Sequence, residues 1–201
     1  TVLTTVKNVT ITDMNYGVKV DYSGAVVLEN VDVTAGVAAL LNSNYGEKTI
    51  TIKDSKLNIL GTWTRNNTIK TTYSFEGANT VGEFKHDAAI DNFKLATKES
   101  TLTAPEGISV TTDVAGYSVK YVDGTYKVVA NMVKVLNGDT EVGTYATLAE
   151  AIAAASAGNT LQFLADLTED VAISKNVTID GAGKTYTGKM SLTTNKGTVA
   201  I

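Results

Sequence analysis

The chain has 201 residues, a net charge of −4 and no cysteine. The negative balance argues against the clustered basic surface that nucleic-acid binding needs, and the lack of cysteine excludes disulfides and thiolate metal sites. Hydrophobic residues make up 43% and charged residues 19%, and the abundance of Thr, Gly, Asn and Val favours an all-β fold. No apolar run approaches the length of a membrane span, so membrane insertion is not expected.

An internal repeat occupies the beginning of the chain. The segment Asn8–Thr12 aligns with Asn30–Thr34 and then with Lys56–Ile59, so that Val9, Val31 and Leu57 become equivalent positions. The period between them is too long for hairpins and is typical of one turn of a solenoid. Alternate residues of each turn should face inward. The predicted buried positions are Val9, Ile11, Val31, Val33, Leu57 and Ile59.

The middle of the chain departs from this pattern. Residues 62–100 keep strand-like pieces but lose the regular spacing, so the coil is expected to fray or close there, with one helical turn over Asp87 to Phe93. Residues 101–144 contain the dipeptides Asp123-Gly124 and Asn137-Gly138 between strand-like runs. Both dipeptides favour tight hairpin turns, so this segment predicts a hairpin-rich module.

A capped helix is predicted near residue 147. Thr147 and Glu150 have the spacing of a capping box, in which both side chains satisfy free backbone N–H groups at a helix start. Gly158 is the residue expected to end the helix. The apolar stripe of the helix comprises Leu148, Ala151, Ile152 and Ala155.

Short strands separated by turn residues follow this helix. They are Leu161–Leu164, Val171–Ile173, Val177–Ile179 and Met190–Leu192, with Leu161, Phe163, Ile173, Val177 and Ile179 expected to be buried. The recurrence of the apolar pattern of Val171 at Met190 predicts a second solenoid segment. The expected domain organisation is therefore 1–100, a β-helix that becomes irregular towards its end, 101–144, a hairpin spacer, and 145–201, a capping helix with the first turns of a second β-helix.

The segment 144–188, which contains Lys175-Asn176-Val177-Thr178-Ile179-Asp180-Gly181, resembles the opening of right-handed parallel β-helix segments in large bacterial surface proteins, many of them adhesins. Val6 to Ile11 resembles an interior turn of the same pectin-lyase-like fold. The resemblance implies an all-β, right-handed parallel β-helix with a short capping helix. It does not imply one activity, because such β-helices include lyases, hydrolases and non-catalytic adhesins.

Acidic side chains of the repeat are the first candidates for chemistry. Asp13, Asp32 and Asp54 lie in or just after successive turns, but outward acidic residues more often solvate a surface than catalyse a reaction. Glycoside hydrolysis needs two carboxyl groups about 5 to 10 Å apart. Two acidic groups with a basic residue in one concave strip would therefore favour an enzyme. Arg65 is the single arginine of the chain.

Four residues form the one sequence cluster with metal-binding side chains: Glu83, His86, Asp87 and Asp91. An imidazole with carboxylates binds zinc or another divalent ion, although a short polar segment of this kind is more often plain surface. The sequence does not decide between the two.

Two interpretations fit the aromatic residues Trp63, Tyr73 and Phe75. They provide an aromatic platform for a sugar or, equally, fill the core at an irregular end of the coil.

The sequence therefore favours a non-catalytic extracellular module on the bacterial cell surface, with an adhesive, structural or self-assembling role. The alternative is a polysaccharide lyase or glycoside hydrolase acting along the groove of the β-helix. No catalytic, cofactor-binding or metal-binding residue is assigned, and no cofactor is expected. The expected partners are a glycan or host-surface ligand and further copies of the chain.

Self-association is expected because the chain begins at Thr1 inside a turn and ends at Ile201 in an unfinished one. Open solenoid ends expose apolar side chains and strand edges. The sequence is consistent with a slice of a longer protein or with head-to-tail stacking of copies.

Overall fold

A computed structural model describes residues 3–21, 25–43, 47–63, 70–85 and 91–193. The fold is an all-β parallel β-helix with one short helix. The strands in chain order are β1 Leu3–Val20, β2 Ala25–Ser43, β3 Lys48–Lys53, β4 Lys56–Trp63, β5 Thr71–Glu76, β6 Ala78–Lys85, β7 Asp91–Leu95, β8 Thr101–Thr103, β9 Val110–Thr111, β10 Tyr117–Val122, β11 Thr125–Ala130, β12 Val133–Asn137, β13 Thr140–Tyr145, β14 Thr160–Phe163, β15 Leu167–Thr168, β16 Val171–Ile173, β17 Thr178–Asp180, β18 Tyr186–Thr187 and β19 Met190–Leu192; the helix is α1, Leu148–Ala154.

The chain forms two compact units. The first contains residues 1–115 and 119–128, and the second contains 116–118 and 129–201. Part of the expected spacer, 101–144, belongs to the first unit and part to the second. Its existence as a separate module remains a prediction.

The first unit is a solenoid of parallel strands. The long strand β1 pairs along its length with β2, one turn later. The first part of β2 then continues through β3, β5, β7 and β9, while its last part continues through β4, β6 and β8. Each turn therefore supplies one strand to each of two columns, and the solenoid turns predicted from the sequence repeat are present.

Most of the buried side chains in this solenoid are apolar. Val31, Val33, Leu57 and Ile59 are buried, as predicted. Val9 pairs with Val31 in the same sheet, but it is 36% exposed, so its predicted burial is wrong. Ile11, Val9's neighbour on the inward face, is only partly buried. Both lie on β1, and among the described strands none but β2 covers β1.

The described strands that follow residue 62 keep the regular stacking of the coil. Strands β5, β6 and β7 stack in regular register, with Tyr73 beside Phe93 and Leu57 beside Val81. The repeat is also shifted from its predicted alignment, because Leu57 pairs with Val33 rather than Val31. The turn between β2 and β4 is therefore shorter at this position than the alignment of the sequence implied. The predicted helical turn lies mostly outside the described residues, and Asp91–Leu95 is a strand.

Both predicted hairpins are present. Asp123 and Gly124 adopt positive φ angles of 50° and 77° between β10 and β11, as expected for an Asp-Gly turn. In the second hairpin, Asn137 still belongs to β12 and pairs with Thr140. Gly138, with φ of 58°, occupies the first loop position instead.

The second unit begins with antiparallel strands and continues as a small parallel coil. Strand β12 pairs antiparallel with both β13 and β14. Parallel pairs β14–β17, β15–β18 and β16–β19 then form three short columns. Their registers place Thr160 beside Thr178 and Val171 beside Met190, so each turn is shorter than the turn from Leu3 to Ala25 in the first unit. The five predicted core residues of this coil are buried: Leu161, Phe163, Ile173, Val177 and Ile179.

The short helix packs its predicted stripe into this core. Leu148, Ile152 and Ala155 are all buried. The Thr147 hydroxyl accepts a hydrogen bond from the Glu150 N–H at 3.2 Å, which confirms the predicted N-cap. Helix α1 has seven residues, and no helix in the described part of the chain is long and apolar enough to cross a membrane.

Distant residues complete both ends of the helix. The Glu169 carboxylate accepts hydrogen bonds from the N–H groups of Leu148 and Ala149 at 2.7 and 3.4 Å. At the other end, the Lys175 ammonium donates to the carbonyls of Ala153 and Ala155 at 2.6 and 2.7 Å. The helix stops at Ala154, so the predicted role of Gly158 is wrong. Gly158 has a positive φ, but its N–H donates to Asn176 in the following turn.

Replacing Glu169 by Ala should destabilise the second unit by about 1 kcal/mol, because two N–H groups at the positive end of α1 lose a charged acceptor. The measurement is urea unfolding followed by circular dichroism. Glu141→Ala, in an exposed strand position, is the matched control and should change the free energy of unfolding by less than about 0.5 kcal/mol. Equal effects of the two changes would contradict the capping role of Glu169.

Candidate functional site: a polar cleft at a solenoid corner

A concave cleft of about 360 Å³ lies at one corner of the first unit. It spans three successive turns, contributed by β1, by β2 and by the β3–β4 segment. Its lining residues are Asn8, Val9, Thr10, Asn30, Val31, Asp32, Asp54 and Lys56. All but two of these side chains are polar, so the cleft is suited to a hydrogen-bonding ligand rather than to an apolar one.

One side of the cleft is a column of residues in the left-handed conformation. Asn8, Asn30 and Asp54 have φ angles of 56°, 50° and 47°. Asn and Asp adopt this conformation at lower cost than most residues, and it bends the strand sharply. The Asn30 side-chain amide donates to Asn8 Oδ1 at 2.9 Å, and Asp54 Oδ1 accepts from the Ala78 N–H at 3.0 Å. The first bond joins two side chains of the column, and the second connects Asp54 to the backbone of the following turn.

The other side of the cleft is a strand column that carries charge. Thr10 pairs with Asp32, and Asp32 pairs with Lys56. Lys56 Nζ lies 4.0 Å from Asp32 Oδ2, with the two side chains 71% and 55% exposed. The cleft therefore presents hydroxyl, amide, carboxylate and ammonium groups to solvent within one depression. Such a set donates and accepts hydrogen bonds in several directions.

Buried polar residues hold the corner from inside. The Val31 N–H donates to Ser55 Oγ at 3.1 Å, and the Ser55 N–H donates to Asn79 Oδ1 at 3.0 Å. Ser55 and Asn79 are 1% and 3% exposed. The bend interrupts the regular backbone ladder, so these N–H groups need side-chain acceptors. Ser55 and Asn79 were not among the residues predicted from the sequence. A polar residue at an inward position of the repeat is the pattern that could have indicated them.

An ion pair flanks the cleft. Lys7 Nζ donates to Glu29 Oε1 at 2.9 Å, and Lys53 Nζ lies 3.9 Å from the same oxygen. The hydrogen bond from Lys7 holds the pKa of the Glu29 carboxyl below its usual value. Glu29 therefore remains a charged residue beside the corner.

The three acidic residues singled out in the sequence do not form one column. Asp32 and Asp54 both line the cleft, on its opposite sides, whereas Asp13 is not among its lining residues. Asp13 lies at a second left-handed bend of β1, with φ of 61°. The cleft does bring two acidic groups together with one basic group, Lys56, in a concave strip.

The sequence cluster of metal-binding residues is only partly visible. His86 and Asp87 lie outside the described residues, as does Arg65. Glu83 is exposed and lies 3.6 Å from Lys85 Nζ, whereas Asp91 is 8% exposed and accepts from Thr62 Oγ1 at 2.7 Å. Within the described ranges, no three His, Cys, Asp or Glu residues are grouped to hold a metal ion.

Two of the three aromatic residues considered as a sugar platform are not accessible to a sugar. Tyr73 and Phe75 are both 0% exposed. Tyr73 stacks on Phe93 with ring centroids 5.4 Å apart, inside the apolar core. The core-filling interpretation is therefore correct for these two residues. The side chain of Trp63 lies outside the described part.

A second polar group is buried inside the first unit. Thr62 Oγ1 lies 2.8 Å from the Tyr73 hydroxyl and donates to Asp91, while the Asn42 amide donates to Thr71 Oγ1 at 2.8 Å. Burial, followed by the negative charge of Asp91, raises the pKa of Tyr73. This group is enclosed, so it acts on the stability of the fold rather than on a ligand.

No family model, no curated protein and no solved structure matches this chain.

Asn30 allows a test of the left-handed column. Asn30→Ala should destabilise the first unit by about 1 kcal/mol more than Asn30→Gly, because alanine is strained at a positive φ and glycine is not. Urea unfolding of both variants measures the difference. Equal stabilities would show that the bend at Asn30 is not maintained in solution.

Tyr73 should make the first unit sensitive to alkali. Its folded-state pKa is raised above the ordinary value of 10.0, so its stabilising contribution is complete below pH 10.0 and is lost as the pH rises beyond that value. Relative to Tyr73→Phe, the wild type should lose up to about 1.4 kcal/mol of unfolding free energy per pH unit above 10. Because burial lowers the pKa of Lys48 in both proteins, its effect cancels in this comparison.

The control for this measurement is Tyr16→Phe, since Tyr16 is 47% exposed. That variant should follow the wild-type curve above pH 10. Parallel curves for Tyr73→Phe and the wild type would contradict the prediction.

Proposed function

We propose that this chain is a non-catalytic module of an extracellular bacterial surface protein, and that its role is adhesion through the corner cleft. The ligand class is a glycan, free or on a host surface. Three features support the proposal: the solenoid architecture, the resemblance of segment 144–188 to β-helix segments of bacterial surface proteins, and the polar cleft. The cleft is the observation that carries it.

The cleft suits a hydroxyl-rich chain because its polar groups recur on successive turns. Asn8, Asn30 and Asp54 occupy equivalent positions on successive turns, and successive strands of a sheet are about 4.8 Å apart. Amide groups donate and accept at once, and carboxylates accept from hydroxyls. A linear ligand running along the solenoid axis would therefore meet a similar set of groups at each turn.

The same cleft is the specific observation in favour of the second candidate, a polysaccharide lyase or glycoside hydrolase. The concave strip contains two acidic residues, Asp32 and Asp54, and one basic residue, Lys56. Binding is the better supported role, since general-acid catalysis needs a carboxyl group partly withdrawn from water. The Asp32 side chain is 55% exposed, and one Asp54 oxygen already accepts from the Ala78 backbone.

Binding is tested on a panel of plant and mucin glycans with the wild type and Asn30→Gly. The glycine variant keeps the left-handed bend but loses the amide group, so affinity for any bound glycan should fall by about tenfold, the equivalent of roughly 1.4 kcal/mol. Asp123→Gly is the matched control, because Asp123 also has a positive φ, of 50°, but lies in a hairpin turn. It should bind like the wild type.

The state of the glycan after incubation with the protein distinguishes the two candidate functions. The bound glycan should be recovered intact, with no new reducing or unsaturated ends. Release of such ends, abolished by Asp32→Asn or Asp54→Asn, would replace the adhesive role by the enzymatic one. Equal loss of affinity in Asn30→Gly and Asp123→Gly would place the binding site elsewhere.

A further inference from the structure

Two carboxylates and one ammonium are the charged groups that line the corner cleft, and they belong to Asp32, Asp54 and Lys56. The Lys56 ammonium lies 4.0 Å from the Asp32 carboxylate, so these two charges offset each other. In the described part of the chain, Asp54 forms no ion pair. The lining therefore carries one negative charge in excess, and that charge is on Asp54.

We propose that the cleft discriminates against acidic glycans, so that its ligand is a glycan without carboxylate or sulfate groups, and that Asp54 determines this specificity. The specificity rests on the proposed adhesive function and defines the class of glycan that the same cleft binds. Like charges brought together in a binding site oppose association, whereas a carboxylate accepts hydrogen bonds from uncharged hydroxyls. Asp54 therefore favours a neutral sugar and disfavours a uronate or a sulfated sugar.

The lysines beside the cleft are directed to Glu29 rather than to Asp54. Lys7 Nζ and Lys53 Nζ lie 2.9 and 3.9 Å from the same Glu29 oxygen. The hydrogen bond from Lys7 makes the largest contribution to the lowered pKa of Glu29, and the negative charge of Asp54 opposes this lowering. Asp54 is thus close enough to Glu29 for their charges to interact. An acidic group of a ligand beside Asp54 would add a further negative charge to this pair.

The next turn of the solenoid fixes the Asp54 carboxylate in place. Its Oδ1 atom accepts a hydrogen bond from the Ala78 N–H at 3.0 Å. The carboxylate also lies against Gly77, where a side chain would collide with it. Because it is held by the backbone of a neighbouring strand, the carboxylate has little freedom to turn away from an acidic ligand. Its charge is therefore a fixed part of the cleft.

The left-handed column itself provides a matched replacement for Asp54. The equivalent residues of the two preceding turns are Asn8 and Asn30, so the column changes from amide to carboxylate at the third turn. Asparagine tolerates the φ of 47° at residue 54, and its amide oxygen can accept the hydrogen bond from the Ala78 N–H. Asp54→Asn therefore removes the charge while the bend and its hydrogen bond are retained.

The charge of the whole chain acts in the same direction as Asp54. The net charge of −4 repels polyanions at long range, and salt screens this repulsion. The local and the general contribution can be separated by substitution. Asp54→Asn and Asp123→Asn change the net charge equally, but Asp123 lies in a hairpin turn and is not among the lining residues of the cleft.

The test compares glycans that differ only in charge. Cello-, manno- and galacto-oligosaccharides are oxidised at their primary hydroxyls to carboxylates, and part of each preparation is converted to the carboxamide. Calorimetric titration of the wild type should give a dissociation constant about tenfold or more higher for the carboxylate form than for the carboxamide form. Asp54→Asn should reduce this ratio to about threefold or less. Added salt should also lower the wild-type ratio, because it screens exposed charges.

Two further variants complete the comparison, with circular dichroism as the check on the fold of each. Lys56→Gln removes the one ammonium of the lining and should increase the ratio, whereas Asp123→Asn should leave it at the wild-type value. A wild-type ratio near one, or equal ratios in Asp54→Asn and Asp123→Asn, overturns the proposed specificity while the adhesive function stands. If neither form of any glycan binds, the adhesive function itself fails, and the specificity fails with it.

Discussion

Parallel pairing between successive turns is the constraint on which the first unit depends. Each strand is hydrogen bonded to the strand one turn later, so a side chain at one position must be compatible with its equivalents on both sides. Inward positions become columns of apolar residues, such as Val33 beside Leu57 and Leu57 beside Val81. A strand with one neighbour, as β1 has among the described residues, leaves such a column exposed to water.

The same constraint turns a backbone bend into a cleft. Once Asn8 takes a left-handed conformation, Asn30 and Asp54 must bend at the same place for their strands to stay paired. In the next turn Gly77 has φ of 64°, and a side chain there would collide with the Asp54 carboxylate. The column of polar side chains therefore ends at Asp54. The buried Ser55 replaces the backbone acceptor that the bend removes.

In the second unit the short helix depends on residues far along the chain. Seven residues make few intrahelical hydrogen bonds, so α1 has little stability of its own. Thr147 supplies a local cap, while Glu169 and Lys175, brought beside the helix by the coil, satisfy groups at its two ends. The helix and the coil therefore stabilise each other.

The sequence by itself determined the solenoid, the length of its first turn, both hairpins and the helix start, because these depend on local periodicity and turn chemistry. It did not determine the register after Val31, since the polar Ser55 follows the left-handed Asp54 at the position where Val31 follows Asn30. Only the tertiary structure placed Asp32, Asp54 and Lys56 in one cleft and left Val9 exposed. Both outcomes depend on which strands are neighbours in space, and the pattern within a single strand carries no information about its neighbours.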